Sequence, residues 1–308
     1  MTGDEADRDE PTFEKGFAGA AGEVVELTSL IRRVLAPNPS AFTFHGTNSY
    51  IIGRGTVAIL DPGPDDAGHV DKLIAATSGE IISHIVVTHT HRDHSPAARL
   101  LAARTGAPIV GCAPYVSKAE SASEGVRLDA SHDLAHEPSQ ILRDGDSISS
   151  PGWMLVAIET PGHASNHVCF SLPEENTLFS GDHVMAWSTS IVSPPDGSMA
   201  DYMASLDKLR GRDEAIYWPG HGDAVRQPQR FVRGLINHRR QRESAILARL
   251  QAGDRTIAEI VPALYSGVPK HLHPAAGQSV LAHLIDLVGR GIVNANGAPT
   301  KDAEYRLA

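Results

Sequence analysis

The sequence predicts an α+β protein in two parts, a mixed domain over residues 21–229 and a small helical domain over residues 230–308. Three observations carry this. Between Val24 and Trp218, β-branched runs of strand length alternate with helical patterns, separated by turns rich in Gly and Pro. After Gln229, helical periodicity takes over until a last short apolar run. The residues that follow the strands of the first part are repeatedly His and Asp, the side chains that hold divalent ions.

Residues 1–20 carry Asp, Glu, Gly and Ala without apolar periodicity and read as a flexible acidic tail. Strands over 50–52 and 56–60 flank Gly53-Arg54-Gly55, a hairpin signal, and Asp61-Pro62-Gly63-Pro64 ends the second. A helix over 66–77 is stopped by Gly79, a buried strand follows over 81–88, and a helix over 95–105 is stopped by Gly106. Later strands fall at 154–159, 167–170, 177–179 and 215–218. Helices follow over 230–251, over 256–265 with Pro262 inside it, and over 276–289, where Val280, Leu284, Leu287 and Val288 share a face. Ile292-Val293 and Asn296-Gly297 suggest a terminal hairpin. Helices closed by a hairpin at this size resemble a winged helix.

The chemistry concentrates in Thr88-His89-Thr90-His91-Arg92-Asp93-His94, three imidazoles and a carboxylate directly after a strand. Four ligands so close exceed what one open tetrahedral site needs, so two adjacent divalent ions are the natural reading. Three further strands end in Gly-rich turns that each carry one ligand-type residue: Thr160-Pro161-Gly162-His163, Ser180-Gly181-Asp182 and Pro219-Gly220-His221-Gly222. Glycine allows close backbone approach, so such turns can aim His163, Asp182 and His221 at the rim that receives His89, His91, Asp93 and His94. Zinc suits this donor set, and ligand type alone leaves manganese and iron open. Asp61, after its strand, reads as a turn residue or as a support for the ligands.

The net charge of -10 argues against whole-surface attraction to nucleic acid or anionic membrane. It leaves room for a local arginine patch at Arg226, Arg230, Arg233, Arg239, Arg240, Arg242 and Arg249. The absence of an apolar run of about 20 residues and the polar start point to a cytoplasmic protein with no membrane partner. Cys112 and Cys169 read as reduced core residues.

The motifs THTHRDH, TPGH, SGD and PGHG, in that order, resemble the metallo-beta-lactamase fold superfamily. The resemblance implies a four-layer αβ/βα sandwich with the metals at one edge. It also implies that His89, His91 and His163 hold one ion, that Asp93, His94 and His221 hold the other, and that Asp182 bridges them. Leu35-Ala36-Pro37-Asn38-Pro39, Gly46-Thr47-Asn48-Ser49-Tyr50, Asp201-Tyr202-Met203 and the tail from His238-Arg239-Arg240 resemble the beta-lactamase-like protein 2 group. That group adds a winged-helix-like C-terminal domain. Some members are endoribonucleases acting on single-stranded RNA, and related fungal proteins are thioesterases.

The expected activity is therefore hydrolysis by a water bridging two ions, oriented by Asp93, without a serine or cysteine nucleophile. The expected substrate is a small or carrier-bound thioester, ester or lactone, because the loop from Trp187 to Pro195 is apolar and rich in hydroxyls, as a pocket wall would be. Asn166, His167, His183 and Trp187 are candidate substrate contacts, and His45 stands near the same rim. Single-stranded RNA is the alternative substrate, gripped by the arginine patch. Mononuclear iron dioxygenase chemistry and true beta-lactamase activity rank lower. The C-terminal domain is the expected place for any contact between subunits.

Overall fold

The computed structural model describes residues 10–116, 132–267 and 269–308. Its first sheet has seven strands in chain order: β1 (Val24–Glu26), β2 (Ile31–Leu35), β3 (Asn48–Arg54), β4 (Thr56–Leu60), β5 (Ile81–Val87), β6 (Ile109–Gly111) and β7 (Gln140–Ile141). β1 to β4 form an antiparallel meander, and β4 to β7 are parallel neighbours. A parallel pair needs a crossover, supplied by α1 (Ala67–Ala76) between β4 and β5 and by α2 (Ala97–Thr105) between β5 and β6. Asp66 caps α1 by accepting from the His69 N–H at 3.0 Å, and Gly106 ends α2 with φ of 74°.

The second sheet comprises β8 (Ser147–Ser150), β9 (Trp153–Glu159), β10 (Val168–Leu172), β11 (Thr177–Gly181) and β12 (Ile216–Pro219), in spatial order β12-β11-β10-β9-β8. α3 (Met199–Arg210) makes the crossover between the parallel strands β11 and β12. Strand periodicity sorts the side chains. Leu155, Ala157, Val168, Phe170, Phe179 and Trp218 enter the core shared with the first sheet. The intervening Ile158, Cys169, Leu178 and Tyr217 enter a second core with α3 and with α4 (Pro228–Ala252). The layers are thus helix, sheet, sheet, helix, the expected four-layer sandwich, and every metal-motif turn lies at one edge of it.

α4 belongs to two cores. Phe231, Val232, Leu235 and Ile236 pack under the second sheet, while Ile246 and Leu250 join α5 (Ile257–Leu264), α6 (His273–Gly289), β13 (Val293–Ala295) and β14 (Tyr305–Leu307). The change of character after Gln229 therefore marks the start of a shared helix, and the core changes hands between Ile236 and Ile246. Ala282 of α6 is buried in the second core, which fastens the C-terminal domain to the two-sheet domain.

The structure departs from the sequence reading at several points. The terminal hairpin returns at Tyr305–Leu307 rather than at Asn296-Gly297. Pro299 cannot donate to a ladder, and the intervening loop is instead closed by Asn296, whose N–H donates to the Glu304 carbonyl at 3.0 Å. β5 stops at Val87, freeing Thr88 for the site. β1, β6, β7 and β8 have at most four residues each, too few to show a period. β2 carries Arg32 and Arg33 yet is buried throughout, Arg32 being paired with Glu80 at 2.7 Å. Of the expected tail, residues 1–9 lie outside the described residues. Residues 10–20 lack helix and strand but lie against the body: Phe13 packs on the second core, and the Glu14 N–H donates to the Ala186 carbonyl at 3.0 Å. Cys112 and Cys169 are free thiols, both buried, with burial pushing both upward in pKa. No helix among the described residues is long and apolar enough to cross a membrane.

His283 of α6 is 1% exposed, and neither ring nitrogen has a hydrogen-bond partner among the described residues. Burial first, then the nearby Arg239, Arg242, His238 and Arg290, lowers its pKa to about 3. The unfolded chain then binds this proton near pH 6.5 while the folded one does not, so its contribution is neutral above that pH and destabilising below it. Between pH 7 and 5 the cost is about 2 kcal/mol. His283→Leu is expected to flatten this acid slope in urea denaturation without loss of stability at pH 7; a slope equal to that of the wild type would show that His283 is not a source of it.

Candidate metal centre

The seven ligand-type residues chosen from the sequence converge, in two groups. His89, His91 and His163 form one; Asp93, His94, Asp182 and His221 form the other. Each sits directly after a strand. His89 to His94 follow β5, His163 lies between β9 and β10, Asp182 follows β11, and His221 follows β12.

The imidazoles are turned by their outward nitrogens. His94 Nδ1 lies 2.9 Å from Asp61 Oδ2, His163 Nδ1 lies 2.6 Å from the Ile191 carbonyl, and His221 Nδ1 lies 3.1 Å from the Gly46 carbonyl. His89 Nδ1 is 2.9 Å from Thr88 Oγ1, which donates to Asp61 Oδ2 at 2.8 Å. With the proton on Nδ1, each of these rings presents Nε2 to the cluster. His91 instead presents Nδ1. Asp61, fully buried, also accepts from the Thr88 N–H at 2.8 Å, so it supports two ligands from behind.

The inward atoms are spaced as a metal would require. His91 Nδ1 is 2.9 Å from His89 Nε2 and 3.0 Å from His163 Nε2. His221 Nε2 is 3.1 Å from Asp93 Oδ2, 3.3 Å from His94 Nε2 and 3.4 Å from Asp182 Oδ2. Asp182 Oδ2 also stands 3.6 Å from His163 Nε2, so this carboxylate touches both groups. Ligands 2.0–2.1 Å from a tetrahedral ion stand about 3.3 Å apart, and the observed spacings scatter around that value. Asp182 Oδ1 is buried without a hydrogen bond among the described residues and faces His94 Nε2 at 3.5 Å, an acceptor that a bound cation would satisfy. A Cβ added to Gly220 would come within 2.5 Å of that oxygen, so the bare glycine keeps the cradle open. The residues present fit divalent ions on all three counts.

Without metal, the electrostatics divide along the same line. Burial opposes charge on His94 and His221, but facing carboxylates overcome it, holding His94 well above its ordinary value and His221 at about 10. Asp93 and Asp182 are held low in spite of burial, chiefly by those two imidazoles. Burial and neighbouring imidazoles hold His89 and His91 well below the ordinary range. One group is thus ready to ligate as neutral imidazoles; the other must surrender protons when a cation arrives.

Turn geometry is strict at Gly162. Its φ is 137°, and an added Cβ would lie 2.3 Å from Tyr202 Cα and 2.4 Å from Tyr202 N, both backbone atoms of α3. Gly162→Ala is expected to cost about 3 kcal/mol or more, read as a drop in the urea midpoint. A change below about 0.5 kcal/mol would show that the turn relaxes.

A cavity of about 370 Å³ adjoins the cluster, reached by His91, Asp93, His163 and Asp182. Phe42, Met185, Ile191, Pro195 and Ala275 form its apolar walls, with hydroxyls from Ser40, Thr43 and Ser193. Ile191, Ser193 and Pro195 come from the loop whose composition suggested a pocket wall. Asn166, His167, His183 and Trp187 do not line this cavity. Asn166 donates to Thr90 Oγ1 and to the Ala113 carbonyl, at 2.9 and 2.7 Å. His167 is buried behind Asp182, whose N–H donates to its Nε2 at 3.2 Å. His183 is fully buried, 4.6 Å from the Tyr202 ring centroid, and burial lowers its pKa to about 3. Trp187 stacks on Phe44 at 4.8 Å, and His45 lies exposed between Phe17 and Phe44.

Sequence reasoning missed His132 and Asp196, which line the cavity as a pair with His132 Nε2 3.3 Å from Asp196 Oδ2. His132 also packs on His91 at 4.6 Å and places Nδ1 3.0 Å from Thr90 Oγ1. No motif surrounds either residue. The Pro194-Pro195-Asp196-Gly197 turn offered the sole hint, since it continues the wall loop.

The arginine patch divides: Arg226, Arg230 and Arg240 are exposed, Arg233, Arg242 and Arg249 are half-buried, and Arg239 is buried. Arg239 is 4% exposed, donates to the Ser190 carbonyl and lies over the Tyr202 ring at 5.1 Å. Arg242 covers Tyr265 at 4.4 Å, and Arg249 pairs with Asp254 at 2.7 Å.

Residues 42–221 match the metallo-beta-lactamase superfamily, and residues 256–301 match the beta-lactamase associated winged helix domain. The chain is 32% identical over 285 residues to the beta-lactamase-like protein 2 homolog of Drosophila melanogaster, covering 87% of this chain and 91% of that protein. It is 30% identical over 263 residues to the atrochrysone carboxyl ACP thioesterase of Aspergillus fumigatus, covering 80% and 77% of the two chains. Its fold is similar to that of a beta-lactamase domain protein from Burkholderia ambifaria, with a TM-score of 0.79, 20% identity and coverage of 94% and 95%.

Proposed function

The chain belongs to the metallo-beta-lactamase superfamily of hydrolases, and from that premise we propose that it hydrolyses an acyl thioester, ester or lactone at a centre of two divalent ions. His89, His91 and His163 would hold one ion, Asp93, His94 and His221 the other, with Asp182 between them. When bound, such ions lower the pKa of a water toward about 7 and polarise the scissile carbonyl.

The chain's own groups set the stage for that chemistry. Asp93 has the most exposed side chain of its group, at 27%, and reaches the cavity while Oδ2 stays beside His221. It is placed to accept a hydrogen bond from the attacking water and to orient it toward a carbonyl lodged in the cavity. Asp61 and Thr88 keep His89 and His94 in their tautomers. The apolar walls exclude bulk water and receive the acyl group.

The observation that carries the substrate class is this cavity, apolar on most sides, with Arg92 the one cation that lines it among the described residues. A phosphodiester strand would call for a run of cations beside the metal-side residues, and among the described residues the cavity offers Arg92 alone, while Arg239 is buried away from it. The name of the fungal thioesterase relative points the same way.

The test is a panel of acyl thioesters, esters, lactones and labelled single-stranded RNA, offered to zinc-loaded and manganese-loaded protein. Turnover of an acyl substrate, lost on chelation and restored by metal, is expected. Metal-dependent cleavage of RNA with every acyl compound untouched would replace this reading with the nuclease one.

A further inference from the structure

One wall of the cavity comes from outside the catalytic domain. Ala275 stands in the first turn of α6, within the segment that matches the winged-helix domain, yet it lines the same cavity as the metal-side residues. Its place is not adjustable at will. Ala282, two turns further along α6, is buried in the core that α3 and α4 share with the second sheet. The helix start is thereby held over the cavity, facing walls that come from the loops after β2 and β11.

We propose that Ala275 sets the size of the acyl group this enzyme accepts, and that this group is an apolar chain. The inference rests on the acyl-hydrolase reading above. The role of size follows from the space: a cavity of about 370 Å³ is wide beside a single methyl, so a bulkier side chain at position 275 would intrude on whatever fills it. The chemistry follows from the walls: Phe42, Met185, Ile191 and Pro195 give an acyl chain apolar surface, and beyond the metal-side residues Arg92 and Asp196 are the charged side chains among the described lining residues. Alanine contributes a single methyl at this point. Ala275→Phe would project roughly six more carbons toward that space. The side chain is only partly buried, so the larger residue has room to enter the cavity without breaking a packed core.

The experiment compares wild type, Ala275→Leu and Ala275→Phe on N-acetylcysteamine thioesters from acetyl to dodecanoyl. Ala275→Phe is expected to lose at least about 10-fold more in kcat/KM on dodecanoyl than on acetyl, mainly through KM; Ala275→Leu falls between. The melting temperature and bound metal of the same preparation report that the fold and the metal centre are intact. A second readout needs neither turnover nor metal: calorimetric binding of the S-dodecyl thioether of N-acetylcysteamine should weaken at least about 10-fold in Ala275→Phe. Equal losses at every chain length, or unchanged dodecanoyl kinetics and thioether binding, would overturn the inference. A wild-type protein inert toward every thioester, ester and lactone would overturn the reading beneath it, and the inference with it.

Discussion

Asp93→Ala is expected to lower kcat by at least about 10²-fold on the best acyl substrate, with the melting temperature near that of the wild type. The asymmetry follows from position. Asp93 has the more exposed side chain of the two carboxylates in its group that reach the cavity, and it meets His94 and His221 without supporting any strand or helix end. Removing it takes away a metal ligand and the acceptor for the attacking water together, while the protein core keeps every contact. The check is single-turnover kinetics at saturating zinc, on protein whose metal content has been measured. Turnover within threefold of wild type in a fully loaded mutant would remove Asp93 from the mechanism.

Gly220→Ala separates folding from metal binding by a different route. The backbone here lies outside the left-handed region, so alanine is conformationally acceptable. Its methyl would nevertheless meet Asp182 Oδ1 at 2.5 Å and His94 Cε1 at 2.6 Å. Relief requires one of these ligands to move, which costs about 1–3 kcal/mol of stability and leaves the protein folded. Affinity for the ion between Asp93, His94, Asp182 and His221 is expected to fall at least about 10²-fold, because ligand placement is what that group supplies. Calorimetric zinc titration beside a circular-dichroism melt measures both effects. Two ions bound with wild-type affinity would mean that no ion sits against this turn.

The sequence made the ligand-type residues legible because His89 to His94 crowd together directly after a strand, while His163, Asp182 and His221 stand in glycine-bearing turns that follow strands, so local pattern and final position coincide. His163, Asp182 and His221 needed no tertiary information beyond the expectation that strand ends share an edge. The substrate wall had no such signature. Phe42, Met185 and Ala275 come from three distant stretches, and only packing brings them to one cavity. His183 and Trp187 were chosen for nearness in sequence to Asp182, yet His183 points into the core behind the rim and Trp187 stacks on Phe44 outside the cavity. Arg239 shows the same limit on a helix. Its neighbours are polar, so its face reads as solvated, whereas the second core and the Ser190 loop close over it. The hairpin that returns at Tyr305 instead of Asn296 reflects a long loop whose closure depends on the Glu304 pairing, a contact that no short motif announces.

The long helix α4 has a consequence for how such proteins diversify. A catalytic body and its companion domain are readily exchanged between relatives when a slack linker joins them. Here the junction is the interior of a helix with one end in each core, and the companion domain also furnishes part of the substrate wall. A recombination event that cut this helix would have to match two cores and one cavity simultaneously. A break within this helix would therefore uncover both cores and open one side of the cavity at the same time.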